Sequence, residues 1–258
     1  MLGCFAGCGS TDTSSNADTE KKGTIVVGYT LYEPMNYLDD NGELVGFDTE
    51  LAKKVFENLG YDVVFKKIEW SAKYTDLKAG TIDCIWNGFT CNVADDDGVK
   101  RSDKVDFSYN YMENRQAVVV KKDSGIAAAA DLKNKRGAYE AGSAGETYAN
   151  SFGGIIPKEV VAQTDGIFEV NAGTADFAVV DIQLARSYAG KGDYANLVII
   201  EELSSDVEYY AVGFSKGSEL TANVNEQFVK LGQDGTIKAL AEKYGVQNTA
   251  ITDYSDQK

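Results

Sequence analysis

The sequence predicts an α/β fold in which short buried strands alternate with amphipathic helices, and three stretches carry that prediction. Gly23-Thr24-Ile25-Val26-Val27-Gly28 is an apolar run of strand formers closed by glycine. A helical pattern follows, with Leu51, Ala52, Val55, Phe56 and Leu59 on one face, and then a second strand over residues 62–68. Residues 81–86, led in by Gly80, form another buried strand and break into the turn-competent Asn87-Gly88-Phe89-Thr90. Residues 175–181 make a third such run, ending on a carboxylate and entering a helical stretch over 182–188. At 258 residues the chain is long enough for one large domain or two modest ones.

The other elements fall between these. A loop over 29–37 carries Tyr32, Pro34 and Tyr37, and Asp40-Asn41-Gly42 makes a hairpin-like turn. Asp48 is placed as N-cap of the first helix, and Gly60 stops that helix. Trp70 follows the second strand, where an indole suits a half-exposed position because it joins an apolar body to one polar N–H; a core tryptophan is the alternative. Residues 73–79 form a short helix, 116–121 a strand, 127–131 a connection and 208–214 a returning strand. Two helices, 220–231 and 236–244, close the chain.

Composition excludes several function classes. A net charge of −15 and the absence of a basic stripe argue against a nucleic-acid partner, because the phosphate backbone would be repelled. With no histidine in the chain, histidine triads, histidine metal sites and imidazole relays are ruled out. No metal and no cofactor is expected. Cys84 and Cys91 fit no metal spacing and are expected as free thiols, with a bridge between them as the alternative. Asp95-Asp96-Asp97-Gly98 lacks the further ligands of a calcium loop and reads as a solvated acidic turn.

The turn after residues 81–86 lies where an open α/β sheet holds ligands, beyond the carboxyl end of a strand. An amide, a carbonyl, the Thr90 hydroxyl and a nearby guanidinium together suit a small zwitterion, the arginine gripping a carboxylate through paired hydrogen bonds. "GTIDCIWNGFT", then an arginine, three residues and "VDFS", with "YEPMNYLDDNGELVGFDTELAKKV" upstream, resembles the polar amino acid binding proteins of ABC importers. These are bacterial extracellular solute-binding proteins of family 3, and the resemblance runs from about Gly23 to about Gly245.

The resemblance implies a two-lobed, type II periplasmic binding protein fold, each lobe a central mixed sheet flanked by helices, joined by two crossover segments. Residues 23–112 with 212–258 would form one lobe and 113–211 the other, with hinges near 111–115 and 207–212. It further implies an extracytoplasmic, monomeric receptor that binds an L-amino acid and delivers it to a transporter permease. Tyr32 and Trp70 would flank the ligand side chain, and Arg101 would take its carboxylate, counted back from Val105-Asp106-Phe107-Ser108 past the acidic insert. Arg115 is the reserve for that role. Asn87, Gly88 and Thr90 would line the first half-site. Ser143 and Ala144, at a helix start, would offer N–H groups to an anion, and Asp181 would accept the α-ammonium, although a helix-capping aspartate would look the same. Phe5-Ala6-Gly7-Cys8 resembles the end of a bacterial lipoprotein signal, with lipidation at Cys8 and residues 1–22 as a remnant and flexible tether to the membrane. Rival readings are a sensor ectodomain, an engineered biosensor, or a dehydratase on the same fold.

Overall fold

The computed structural model describes residues 21–257, so the lipidation expected at Cys8 lies outside the described residues. Thr24–Tyr29 (β1) leads to a small hairpin of Tyr37–Leu38 (β2) and Leu44–Val45 (β3), the helix Phe47–Asn58 (α1) and the strand Asp62–Lys67 (β4). Lys73–Lys78 (α2) delivers Cys84–Ile85 (β5), and Arg101–Lys104 (α3) precedes Asp106–Phe107 (β6). Then come Met112–Asn114 (β7), Gln116–Lys121 (β8), Arg136–Glu140 (β9), Ala144–Ser151 (α4), Ile156–Val160 (β10) and Gln163–Ala172 (α5). Phe177–Asp181 (β11), Ile182–Tyr188 (α6) and Leu197–Ile200 (β12) follow. Glu208–Tyr210 (β13), Gly213–Phe214 (β14), Leu220–Gln233 (α7) and Thr236–Lys243 (α8) complete the chain.

These strands make two five-stranded sheets of the same design, ordered β4-β1-β5-β14-β6 and β10-β9-β11-β8-β12. In each, three parallel strands are extended by an antiparallel strand: β14 pairs antiparallel with β5, and β8 pairs antiparallel with β11. The chain leaves the central parallel strand of each sheet first to one side and later to the other. That reversal opens a crevice at the carboxyl ends of β1 and β5, and of β9 and β11.

Side-chain alternation explains how the second sheet is covered on both faces. Val118, Val120, Tyr139, Phe177 and Val179 pack with Ala149 of α4 on one face, while Ala117, Val119, Ala138, Ala178 and Val180 meet Ile167 and Val170 of α5 on the other. In the first sheet, α1 turns Leu51, Ala52, Val55 and Phe56 inward, with Phe56 edge-on to Trp86 at 5.9 Å and Trp86 edge-on to Phe228 of α7 at 5.7 Å. Burying each such side chain contributes on the order of 1.5–3 kcal/mol.

Three details depart from the sequence reading, the first being Trp70, which is 5% exposed and edge-on to Phe89 at 5.3 Å, the core position rather than the half-exposed one. Asp48 is not the N-cap of α1: Gly46 is, with φ 127°, and a Cβ there would lie 2.1 Å from the Met35 carbonyl oxygen. The backbone passes too close to the preceding loop for a capping side chain, which frees Asp48 to reach elsewhere. The strand expected over 81–86 pairs only at Cys84–Ile85. Before it, the Asp83 carboxylate accepts from the Val26 N–H at 2.7 Å while the Asp83 N–H donates to the Val26 carbonyl at 2.8 Å, so a side chain stands in for the ladder. Gly60 does end α1, at φ 87°.

The segments between the sheets pair with each other. β7 and β13 run antiparallel, with Glu208 opposite Asn114 and Tyr210 opposite Met112. Residues 249–251 add a third thread: the Glu113 N–H donates to the Thr249 carbonyl and the Ile251 N–H to the Tyr111 carbonyl.

Candidate functional site

Both crevices open onto one narrow cavity of about 10 Å³, lined by Trp70, Asn87, Gly88, Thr90 and Arg101 from the first sheet's side and by Glu140, Ser143, Ala144, Gln163 and Asp181 from the second. Every site residue predicted from the sequence within the described chain is there except Tyr32. The Tyr32 ring lies against Gly88, its hydroxyl 2.6 Å from that of Tyr210, and its other surroundings are a larger outer groove of about 410 Å³ shared with Glu33, Tyr37, Asp165 and Tyr188.

On the first side, the loop after β5 is held by buried hydrogen bonds. The Asn87 amide is fully committed: its Nδ2 donates to the Thr30 carbonyl at 2.9 Å and to Asn36 Oδ1 at 2.7 Å, and its Oδ1 accepts from the Thr30 N–H and hydroxyl. It positions the loop. Gly88 sits at φ 56°, where a Cβ would lie 2.7 Å from Tyr32 Cε1, and its N–H donates to Asp48 Oδ2 at 2.8 Å. Tyr111 donates to the same oxygen at 2.8 Å. Burial still dominates at Asp48 and pushes its carboxyl up to about 7.

Arg101 is 1% exposed, and the acidic insert governs its partners. Its Nε donates to Asp95 Oδ1 at 2.7 Å, Nη1 to the Thr90 carbonyl at 3.1 Å and Nη2 to the Gly142 carbonyl at 3.4 Å. A guanidinium has five N–H donors, so two remain for the cavity. The insert is the solvated turn expected at Asp96, Asp97 and Gly98, but Asp95 turns inward. Asp95 also accepts from Lys104 at 2.8 Å and Tyr74 at 2.7 Å, and Asp96 reaches across to accept from Thr147 of α4 at 3.0 Å. Partial burial of Asp95 opposes ionisation, yet Arg101 and Lys104 outweigh it and hold its carboxyl down at about 2. Arg115 lies outside the cavity, its Nη1 donating to the Ser205 carbonyl.

On the second side, Ser143 caps α4, accepting from the Glu146 N–H at 3.1 Å, while the Gly142 N–H donates to Glu146 at 2.6 Å. The start of α4, with Ala144, faces the cavity. Asp181 makes no capping bond to α6. Its Oδ1 accepts from Asn114 and Gln116 at 2.6 Å each and its Oδ2 from Gln163 at 2.6 Å. Those amides favour the ionised form, but burial wins and raises its pKa.

Sequence reasoning missed several residues here. Glu208, from β13, accepts from Gln116 at 2.9 Å, Asn114 at 3.3 Å and Thr90 at 3.3 Å, and burial together with Asp181 lifts it to about 7. Lys73 is buried, donates to the Gly142 carbonyl at 2.8 Å and lies 5.0 Å from the Trp70 ring; burial, then Arg101, lower it to about 7. Glu140 ends β9 just as Asp181 ends β11, a signal visible in the sequence. Cys84 and Cys91 are free thiols, and burial pushes Cys91 up to about 11, which leaves it unreactive at neutral pH.

Two half-sites on twin sheets, meeting at the ends of corresponding strands, describe a solute-receptor architecture, and sequence comparison gives the same result. Residues 25–247 match the bacterial extracellular solute-binding proteins, family 3. The chain belongs to this family. Arginine-binding extracellular protein ArtP of Bacillus subtilis is 27% identical over 92% of this chain and 91% of its own length. L-cystine-binding protein TcyJ of Escherichia coli is 30% identical over 87% of this chain and 84% of its own. Among solved structures, an ancestral arginine-binding protein bound to arginine superposes with a TM-score of 0.78 at 32% identity, covering 86% of this chain and 98% of that one. The family 3 fold thus has the two lobes that the two sheets represent.

Proposed function

We propose that this family 3 protein captures an L-amino acid in the cavity between its two sheets and delivers it to an ABC importer. The observation that carries the reading is the division of one small cavity between complementary groups from separate sheets. The two unengaged Arg101 donors and the α4 start suit a carboxylate, whereas Asp181, Thr90 and the loop carbonyls suit an ammonium. Trp70 and the aromatic side of the Tyr32 groove would border the side chain. Residues 23–112 with 212–258 and residues 113–211 act as two bodies that close about hinges near 111–115 and 207–212, so the ligand stabilises the closed form over the open one. The receptor works as a monomer outside the cytoplasm, held to the membrane by a lipid on Cys8 with residues 1–22 as tether.

A thermal-shift screen against the twenty common amino acids and cystine tests this. A ligand present at a hundredfold excess over its Kd adds about 2.7 kcal/mol to stability. At least one amino acid is expected to raise the melting temperature clearly; failure of all of them at millimolar concentration would remove the reading.

A further inference from the structure

The polar groups around the cavity are unbalanced in one direction. Among the described residues, Glu140 Oε1 is a buried acceptor in the cavity lining that receives no hydrogen bond, and Gln116 Oε1, Asn114 Oδ1 and Asp48 Oδ1 are left in the same way behind the lining residues. Buried acceptors without donors are costly, so such a set marks where N–H groups from outside the chain belong. Glu140 matters most. It is 2% exposed, lines the cavity at the carboxyl end of β9, and makes no ion pair among the described residues.

The charged groups facing Glu140 do not neutralise it. Asp181 from β11 and Asp165 from α5 repel it, and Lys73 and Arg101 attract it. Arg101, however, is paired with Asp95, and the Lys73 ammonium is turned to the Gly142 carbonyl and the Trp70 and Tyr74 rings. Asp95, Glu140, Asp181 and Glu208 outnumber Arg101, Lys73 and Lys104, and both Arg101 and Lys104 are spent on Asp95. An α-ammonium bound at Asp181 answers only one of the surplus carboxylates.

We propose that Glu140 is a specificity residue that selects ligands with a second cationic N–H group, making the site one for basic amino acids ending in a guanidinium or amine. The inference rests on the amino-acid reading above. Burial and Asp181 hold the Glu140 carboxyl well above the usual range, so an arriving cation should drive off its proton.

The test compares L-arginine with L-citrulline, which replaces the guanidinium by a neutral ureido group of the same shape, by titration calorimetry on the wild-type protein and the near-isosteric Glu140→Gln variant. The wild type is expected to bind arginine at least about tenfold more tightly than citrulline. Glu140→Gln should erase that preference, the arginine affinity falling to within about threefold of the variant's citrulline affinity. Titration at pH 7 in phosphate and in Tris, whose ionisation heats differ, should reveal more proton release on arginine binding to the wild type than to the variant, the remainder coming from Asp181 and Glu208. Equal wild-type affinities, or a variant that keeps both its preference and the wild type's proton release, would overturn the proposal and leave the amino-acid reading standing. Binding of neither compound, nor of any common amino acid, would remove both.

Discussion

Asp95→Ala is the most informative single change in the acidic insert. The substitution deletes the partner of Arg101 Nε, and Arg101 is 1% exposed, so an almost wholly buried guanidinium would lose its counter-ion. Breaking a fully buried pair costs about 3–5 kcal/mol because the surviving charge stays desolvated. Asp95 keeps a solvent-facing edge, with 13% of its side chain exposed, so about 2–4 kcal/mol is the magnitude to expect after allowance for screening. Urea denaturation of the variant and the wild type gives the difference directly. Asp97→Ala is the control: Asp97 touches only Lys104 and the turn backbone, its side chain is 55% exposed, and no change in midpoint is expected. Sign and pH range follow from the depressed carboxyl of Asp95. Its contribution is complete above its unfolded value of 3.8 and is lost as pH falls through about 2, so the two proteins should converge in strong acid. An Asp95→Ala variant as stable as the Asp97→Ala control at pH 7 would refute the reasoning.

Other expectations are open to measurement. Gly88→Ala must adopt a left-handed backbone and press a methyl against the Tyr32 and Tyr210 rings; strain and overpacking together should cost about 2–5 kcal/mol in denaturation. Asp181→Ala should leave a bound ammonium desolvated and unpaired, weakening ligand affinity by roughly 10²–10³ in calorimetry, and undiminished binding would displace it from the site. Asp48 and Glu208 are both lifted to about 7, so the stability of their neutral forms is present in acid and lost as pH rises through 7. The urea midpoint should therefore fall between pH 5.5 and pH 8, less so in Asp48→Asn, and a midpoint that rises over that interval would contradict the burial argument.

The strand ends were legible because strand, turn and helix signals repeat there in short form. The runs ending at Trp86 and Asp181 and the glycine-rich start of α4 each placed residues that now line one cavity. The polar misreadings share a cause: a polar side chain did what backbone normally does, or turned inward where its neighbours turn outward. Asp83 replaces ladder bonds to Val26, Asp48 leaves the helix end for Gly88 and Tyr111, and Asp95 folds back onto Arg101. Nothing in local spacing distinguishes such a residue from a solvated one: the partners of Asp83 and Asp48 lie tens of positions away, and the six-residue step from Asp95 to Arg101 carries no helix or strand periodicity. The amide tier of Asn114, Gln116 and Gln163 was invisible for the same reason: it takes meaning only once β8, β11 and α5 are side by side.

The stretch near residue 249 has a mechanical consequence. Past Thr249, the Tyr254 ring stacks on Phe228 of α7 at 5.7 Å, while the Thr249 hydroxyl accepts from Gln183 of α6 at 2.9 Å. The tail is thus stitched to a helix on each half of the molecule, like a leash across a clasp. Gln183 and Thr249, though remote from the cavity, therefore tie the halves together alongside the Gly142 and Asp96 bonds at the cleft.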